Sequence, residues 1–271
     1  MIKPFLVAVL LFFCAEEAWA QTAPAAGIPP GAPAAKAAAK APRQKAGAVA
    51  KPLSDNAACD LGVIAAAGNP IGLKKVGITV FGNEYSEIPS DPWGIDEFIV
   101  ARVRAAAGPG VAVRRIAVSE QGLFELYKKP GKGFFNNPRE NLTEAVRHIA
   151  ANIRCGRYIA ITRSIGNLGG TNQSLEGIGI LTQGPFGKVA VFANAEIAVF
   201  EGPNFVLRDD PFASLGARLS QMGKDERLRA VEGAEFPASP EAAAKDARLR
   251  DAARTLLAER FDRILPEYLK Q

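Results

Sequence analysis

The chain has 271 residues, with 33 lysines and arginines, 28 aspartates and glutamates, three cysteines and a single histidine. One histidine, with no cysteine pair at ligand spacing, excludes a zinc or transition-metal centre of ordinary build. The formal net charge of +5 is concentrated near the N-terminus and leaves the rest of the chain close to neutral.

The first twenty residues read as an export leader. Lys3 gives the positive start, Phe5 to Phe13 the short apolar core, and Ala18-Trp19-Ala20 the small-x-small cleavage pattern. The apolar run is shorter than the roughly 20 residues of a membrane span. Cleavage is expected near Ala20, which sends the mature chain to the periplasm or the exterior. Cys14 is poorly placed for lipid attachment, because bulky Phe13 precedes it where a lipoprotein leader has a small residue.

Residues 21–53 are mostly Ala, Pro, Gly and Lys, with Ile28, Val49 and Leu53 as the large apolar side chains. Such a segment cannot bury enough surface to offset its ordering entropy. It is expected to be a disordered linker, extended by its prolines and by repulsion among Lys36, Lys40, Arg43, Lys45 and Lys51. The leader holds one basic and two acidic residues, and the linker five basic and none acidic. Residues 54–271 therefore hold 27 basic and 26 acidic residues. That balance gives no support to a nucleic-acid face on the folded part. Any membrane contact falls to the basic linker.

Residues 54–271 are expected to form one domain. It begins with the apolar run Leu61-Gly-Val-Ile-Ala, followed by a turn at Gly68-Asn69-Pro70. Strands over about 60–67 and 72–81 are expected to pair as a hairpin, with a helix as the alternative for the first segment. The stretch Leu73 to Glu84 reads as the central strand, its β-formers ending at Gly82-Asn83. The carboxyl end of such a strand is the usual ligand position in an open α/β sheet. Asn83 to Pro92 is expected to be a polar loop, with Asp91 as helix cap and Pro92 at the first helical position. Ile95, Ile99, Arg102, Val103 and Ala106 recur at helical spacing, and Gly108-Pro109-Gly110 ends that helix.

Val111 to Val118 alternates and predicts a second strand, while residues 119–138 look irregular. Asn141 with Glu144 has capping-box spacing, and Ala145, Val146, Ile149 and Ile153 form the apolar stripe of a helix that Cys155-Gly156 closes. Arg157 to Ile161 is a third strand, and Gly166 to Ser174 a flexible loop. Ile178 to Leu181, Val189 to Phe200 and Phe205 to Leu207 predict an antiparallel meander. A helix is expected over Pro211 to Met222, then an irregular stretch over 223–238. Ser239-Pro240-Glu241 starts one long helix over about 240–265, with Leu249, Leu256, Leu257, Phe261, Ile264 and Leu265 on its apolar face and Pro266 at its end. That face is expected to dock on its own domain rather than on a second copy. The fold class is therefore α/β: a mixed sheet with a strand-helix-strand-helix-strand core, an antiparallel meander and C-terminal helices.

Removal of the leader leaves Cys59 and Cys155, a candidate disulfide in an oxidising compartment. The alternative is two small buried thiols. His148 is expected on a helix face rather than as a catalytic base. Gly166 to Gly170 matches neither phosphate-loop nor dinucleotide spacing, so no cofactor is expected. Val80-Phe81-Gly82-Asn83-Glu84 resembles the first block of the GDSL-type hydrolases, in which a strand ends in Gly-Asp-Ser. Glu84 here stands where that family has its nucleophilic serine, and no Asp-x-x-His closes the chain. The departure implies that the esterase activity is absent, and no catalytic residue is assigned.

Lys75 to Phe81, the helix after Trp93, Arg114 to Val118, Gly156 to Ile161 and the later meander together resemble periplasmic α/β modules. These are the type found in the N-terminal domain of TolB proteins and in curli-secretion lipoproteins. The likeness covers roughly residues 72–210 and implies a non-catalytic module for protein contacts in the envelope. The expected partner is another envelope protein, and the expected binding surface is Asn83, Glu84, Tyr85, Asp91 and Trp93. The alternative is a hydrolase of envelope glycan or ester substrates that uses the carboxylates Glu84, Glu87, Asp91, Asp96 and Glu97.

Overall fold

The computed structural model describes residues 58–77, 82–89, 91–127, 138–167, 173–183, 187–214, 216 and 226–270. The expected leader and linker lie outside these residues. So does most of the helix expected over 211–222, whose first two residues form a turn.

In chain order the first elements are β1 (Cys59–Ala65), β2 (Ile71–Val76), β3 (Glu84–Ile88), α1 (Ile95–Ala107), β4 (Val113–Arg115), α2 (Glu120–Tyr127), α3 (Pro138–Ile149) and β5 (Cys155–Arg163). A short hairpin, β6 (Ile165–Asn167) and β7 (Ser174–Glu176), follows. Then come β8 (Ile178–Gln183), β9 (Ala190–Ala193), β10 (Ala195–Glu201), β11 (Val206–Leu207) and β12 (Leu228–Ala230). Two helices close the domain, α4 (Pro240–Lys245) and α5 (Ala247–Leu269).

The strands build two five-stranded sheets. The first has the order β11-β10-β5-β1-β4 and the second β12-β9-β8-β2-β3. In the first sheet β4, β1 and β5 are parallel, and β10 and β11 are antiparallel additions. In the second, β2 and β8 are parallel and the remaining pairs antiparallel. The fold is thus α/β with mixed sheets. The strand-helix-strand-helix-strand core is β1, α1, β4, the α2–α3 pair and β5.

The hydrophobic pattern explains the layers. Leu61, Val63 and Ala65 of β1 and Ile159 and Ile161 of β5 face a core shared with α1 and α5. Ile64, Tyr158 and Ala160 face the opposite way, onto Val146 and Ala150 at α3. A strand apolar on both faces is what a helix-covered parallel sheet requires. The second sheet turns Ile71, Leu73, Ile178, Ile180 and Val191 into the same core as α5. Its other face is sealed by Leu175 of β7 over Val76, Leu181, Ala190 and Phe192.

Several sequence expectations are corrected. The runs at 60–67 and 72–81 do not form a hairpin, because the turn at 66–70 passes the chain from one sheet to the other. The central places belong to β5 and β8, and β2 stops at Val76, next to the edge. Its two lysines, Lys74 and Lys75, are half-buried and suit that position. The expected polar loop contains the edge strand β3. Charged side chains are tolerated on an edge strand and protect it from self-association. Asp91 to Trp93 is a 3-10 turn, and the cap of α1 is Gly94, in the left-handed region at φ 52°.

The strand expected over 111–118 is confined to β4, and α2 occupies part of the stretch read as irregular. Helix α3 starts at Pro138, so Asn141 lies inside it. Cys155 opens β5 rather than closing a helix. The run 189–200 is two strands in different sheets, divided at Asn194. The final helix is also two. Asp246 ends α4 and caps α5, its Oδ1 accepting from the Leu249 N–H at 3.0 Å. Ser239 caps α4 as expected, accepting from the Ala242 N–H at 3.2 Å. Pro266 lies within α5, not at its end. The apolar face of α5 docks on its own domain, against α1 and the second sheet.

Cys59 and Cys155 form a disulfide. They are register partners across parallel strands β1 and β5, with Cα atoms 4.4 Å apart and both side chains buried. The sequence separation is 96 residues, for which the chain-entropy model gives up to about 4–5 kcal/mol. Urea unfolding of the Cys59→Ala/Cys155→Ala variant is expected to show a stability loss of that order. An unchanged midpoint would remove the cross-link from the account.

Candidate functional site

The surface expected at the end of β2 is a strand edge. Among the described residues β3 hydrogen-bonds only to β2, with Lys75 opposite Glu84 and Gly72 opposite Glu87. Lys75 Nζ lies 3.2 Å from Glu84 Oε1 in an exposed pair, which adds little stability. Tyr85 is 60% exposed. Its ring lies over Gly72, where a β-carbon would stand 3.4 Å from it. Its hydroxyl donates to Glu87 Oε1 at 3.4 Å. Partial burial, and then the Glu87 charge, push the phenol pKa up.

The other expected residues are placed differently. Asn83 is a clamp: it accepts from the Gly77 N–H at 3.0 Å and donates to Gln173 at 3.1 Å. Trp93 is fully buried, and its indole N–H donates to the Ala243 carbonyl of α4 at 3.3 Å. Its own carbonyl accepts two bonds from Arg254, at 3.1 and 2.6 Å. The ring therefore packs the core and offers no stacking surface. Asp91 opens the 3-10 turn beyond β3. Glu84 and Tyr85 are both exposed on β3, whereas Asn83 is partly buried and Trp93 fully so.

That surface includes a groove that sequence reasoning missed. Residues 236–240 run past β3 and leave a cavity of about 380 Å³. Leu73, Lys75, Glu84, Tyr85 and Ser86 line one side, and residues 236–240 the other. The signal was the Phe-Pro-Ala-Ser-Pro sequence before α4, which reads only as a helix start until β3 is known to be a strand.

A second polar cluster stands at the carboxyl ends of β1, β4 and β5. The Tyr127 hydroxyl donates to the Ala66 carbonyl at 2.5 Å and accepts from the Arg163 N–H at 3.0 Å. The Arg163 guanidinium lies 3.9 Å above the Tyr127 ring. Tyr127 is therefore a strut between two strand ends, and burial raises its pKa. Asp96 accepts from the Gly68 N–H at 2.9 Å, and Glu97 pairs with Arg115 at 2.7 Å. Asp96 and Glu97 line a cavity of about 210 Å³ that does not include Glu84 or Glu87. Glu84 and Glu87 thus stand apart from Asp96 and Glu97, and each of these four has a partner.

His148 lies on the exposed face of α3, with Nδ1 2.7 Å from Glu125 Oε2. Among the described residues no group of three or more His, Cys, Asp or Glu could hold a metal ion. A further cavity, about 550 Å³, lies between α3, α5 and β10. In it Tyr268 donates to Asp210 at 2.9 Å and Arg260 to the Ala195 carbonyl at 2.9 Å. No protein-family model matches the sequence, and comparisons with curated proteins and with solved structures give no match.

Burial pushes the Asp96 carboxyl up to about 6, opposed by its bond from the Gly68 N–H. A carboxyl held above its unfolded value near 4 makes the folded state bind more protons between about pH 4 and 6. Stability should therefore fall as pH rises through that window, by about 2–3 kcal/mol from this group. In the Asp96→Asn variant that fall is expected to vanish, so the variant gains on the parent between pH 4 and 6.5. Urea midpoints measured across that range check it; parallel profiles would contradict the assignment.

Proposed function

We propose that the domain is a non-catalytic binding or assembly module of the bacterial envelope, which engages another envelope protein through β3. The observation that carries this reading is the outer edge of β3, which pairs with no strand among the described residues, with the Tyr85 side chain exposed and a groove beside the strand. A sheet edge offers a row of backbone donors and acceptors to an incoming segment. The disulfide suits an oxidising compartment, in line with the export leader read from the sequence. Among the described residues no helix is long and apolar enough to cross a membrane. The hydrolase reading loses support because Glu84 lines a different cavity from Asp96 and Glu97, and Glu84, Asp96 and Glu97 are each held by a partner.

A photo-crosslinking amino acid placed at Tyr85 in living cells tests this. It is expected to trap one envelope protein reproducibly. The same group at Phe124, an exposed position on α2, is expected not to trap it. Equal capture at both positions, or none at Tyr85, would overturn the proposal.

A further inference from the structure

We infer that the segment received by β3 is an extended strand of another protein, apolar on the side that enters the groove and basic on the side that crosses Tyr85. This rests on the binding reading above and names the chemistry of its partner.

Side chains of a strand alternate between two faces. One added beside β3 therefore meets two different surfaces. On the first face Leu73, which is buried, lies on the strand side with Ser86 and Lys75 beside it, and Phe236 and Pro237 form the opposite wall. The cavity of about 380 Å³ has room for one or two aliphatic side chains. Pro237 and Pro240 carry no N–H, so those wall positions cannot compete as donors for the backbone of the incoming strand. Glu84, on this same face, is already neutralised by Lys75.

The second face carries Tyr85, Glu87, Lys74, Glu176 and Arg163. Glu87 and Glu176 are exposed, and both raise the Tyr85 phenol pKa through their charge. The cations sit deeper and are engaged. Lys74 Nζ donates to the Ser174 carbonyl at 2.7 Å, and Arg163 is stacked on Tyr127. What faces solvent is an aromatic ring flanked by two carboxylates. A lysine or arginine can lie over such a ring and reach a carboxylate at the same time. A second copy of β3 is disfavoured, because the strand carries two carboxylates, Glu84 and Glu87, and no cation to meet them.

Two labelled octapeptides test the inference, one alternating lysine with valine and one glutamate with valine. Each is titrated against the folded domain by fluorescence anisotropy. The lysine peptide is expected to bind at least tenfold tighter, with an affinity that falls as salt is raised. The Glu87→Lys/Glu176→Lys variant, confirmed as folded by its melting curve, should abolish or reverse the preference. Ser86→Phe, which fills the groove, should weaken binding while keeping the preference for lysine. Equal binding of the two peptides, no binding of the lysine peptide, or a preference that survives charge reversal would each overturn the inference. If peptide preference fails while the Tyr85 crosslink persists, only the partner chemistry is wrong. If the crosslink also fails, the binding reading falls with it.

Discussion

The structure depends on burying one face of α5 across two sheets at once. At 23 residues the helix is about 35 Å long, enough to reach strands of both. Leu249, Ala253, Leu256, Leu257, Phe261, Ile264 and Leu265 share a core with β1, β5 and β10 of the first sheet and with β2, β8 and β9 of the second. Each large side chain buried there contributes about 1.5–3 kcal/mol. The one charged residue on this face, Arg260, is buried and donates to the Ala195 carbonyl, just where the chain crosses between sheets. The disulfide adds a covalent tie between the starts of β1 and β5, remote from β3.

This shared core explains why β3 stands where it does. Ile88, at its end, is buried with Trp93 and Ile95 in the same cluster. Trp93 is held by α4 through Ala243 and by α5 through Arg254. The strand is thus anchored at its exit while its outer side stays unpaired among the described residues. The groove has the same origin, because the segment leading into α4 must pass β3 before α5 can lie down on the sheets. The hairpin β6–β7 is fastened from the other side by Asn194, whose amide donates to the Leu175 carbonyl at 3.1 Å. It brings Glu176 towards Tyr85.

Much of this was legible in the residues. The stripe on α5 and the Ser239 cap depend on local pattern and chemistry, and sequence carries those directly, while the cysteine pair was open between a disulfide and two buried thiols. The sheet assignment was not legible. Nothing local distinguishes a β1–β2 hairpin from a turn that crosses between sheets, since both need Gly68-Asn69-Pro70. The run 189–200 is apolar throughout except for Asn194 and Glu196, and the buried role of Asn194 appears only once the hairpin is placed. Glu-Tyr-Ser-Glu-Ile reads as loop because its polar side chains face water, which an edge strand permits. Of the expected surface residues, Glu84 and Tyr85 are exposed on β3. Trp93 was assigned to the surface because its partner, Ala243, lies 150 residues away. The wall at 236–240 was missed for the same reason.

The central claim is that residues 84–88 are a strand with one paired and one open side. Amide hydrogen exchange on the isolated domain tests it most directly. The account predicts alternation along β3, with amides turned towards β2 protected and those turned outward exchanging quickly, while the amides of β8 stay protected throughout. Uniform fast exchange would mean a loop, and uniform protection a covered edge. Either result would contradict the account.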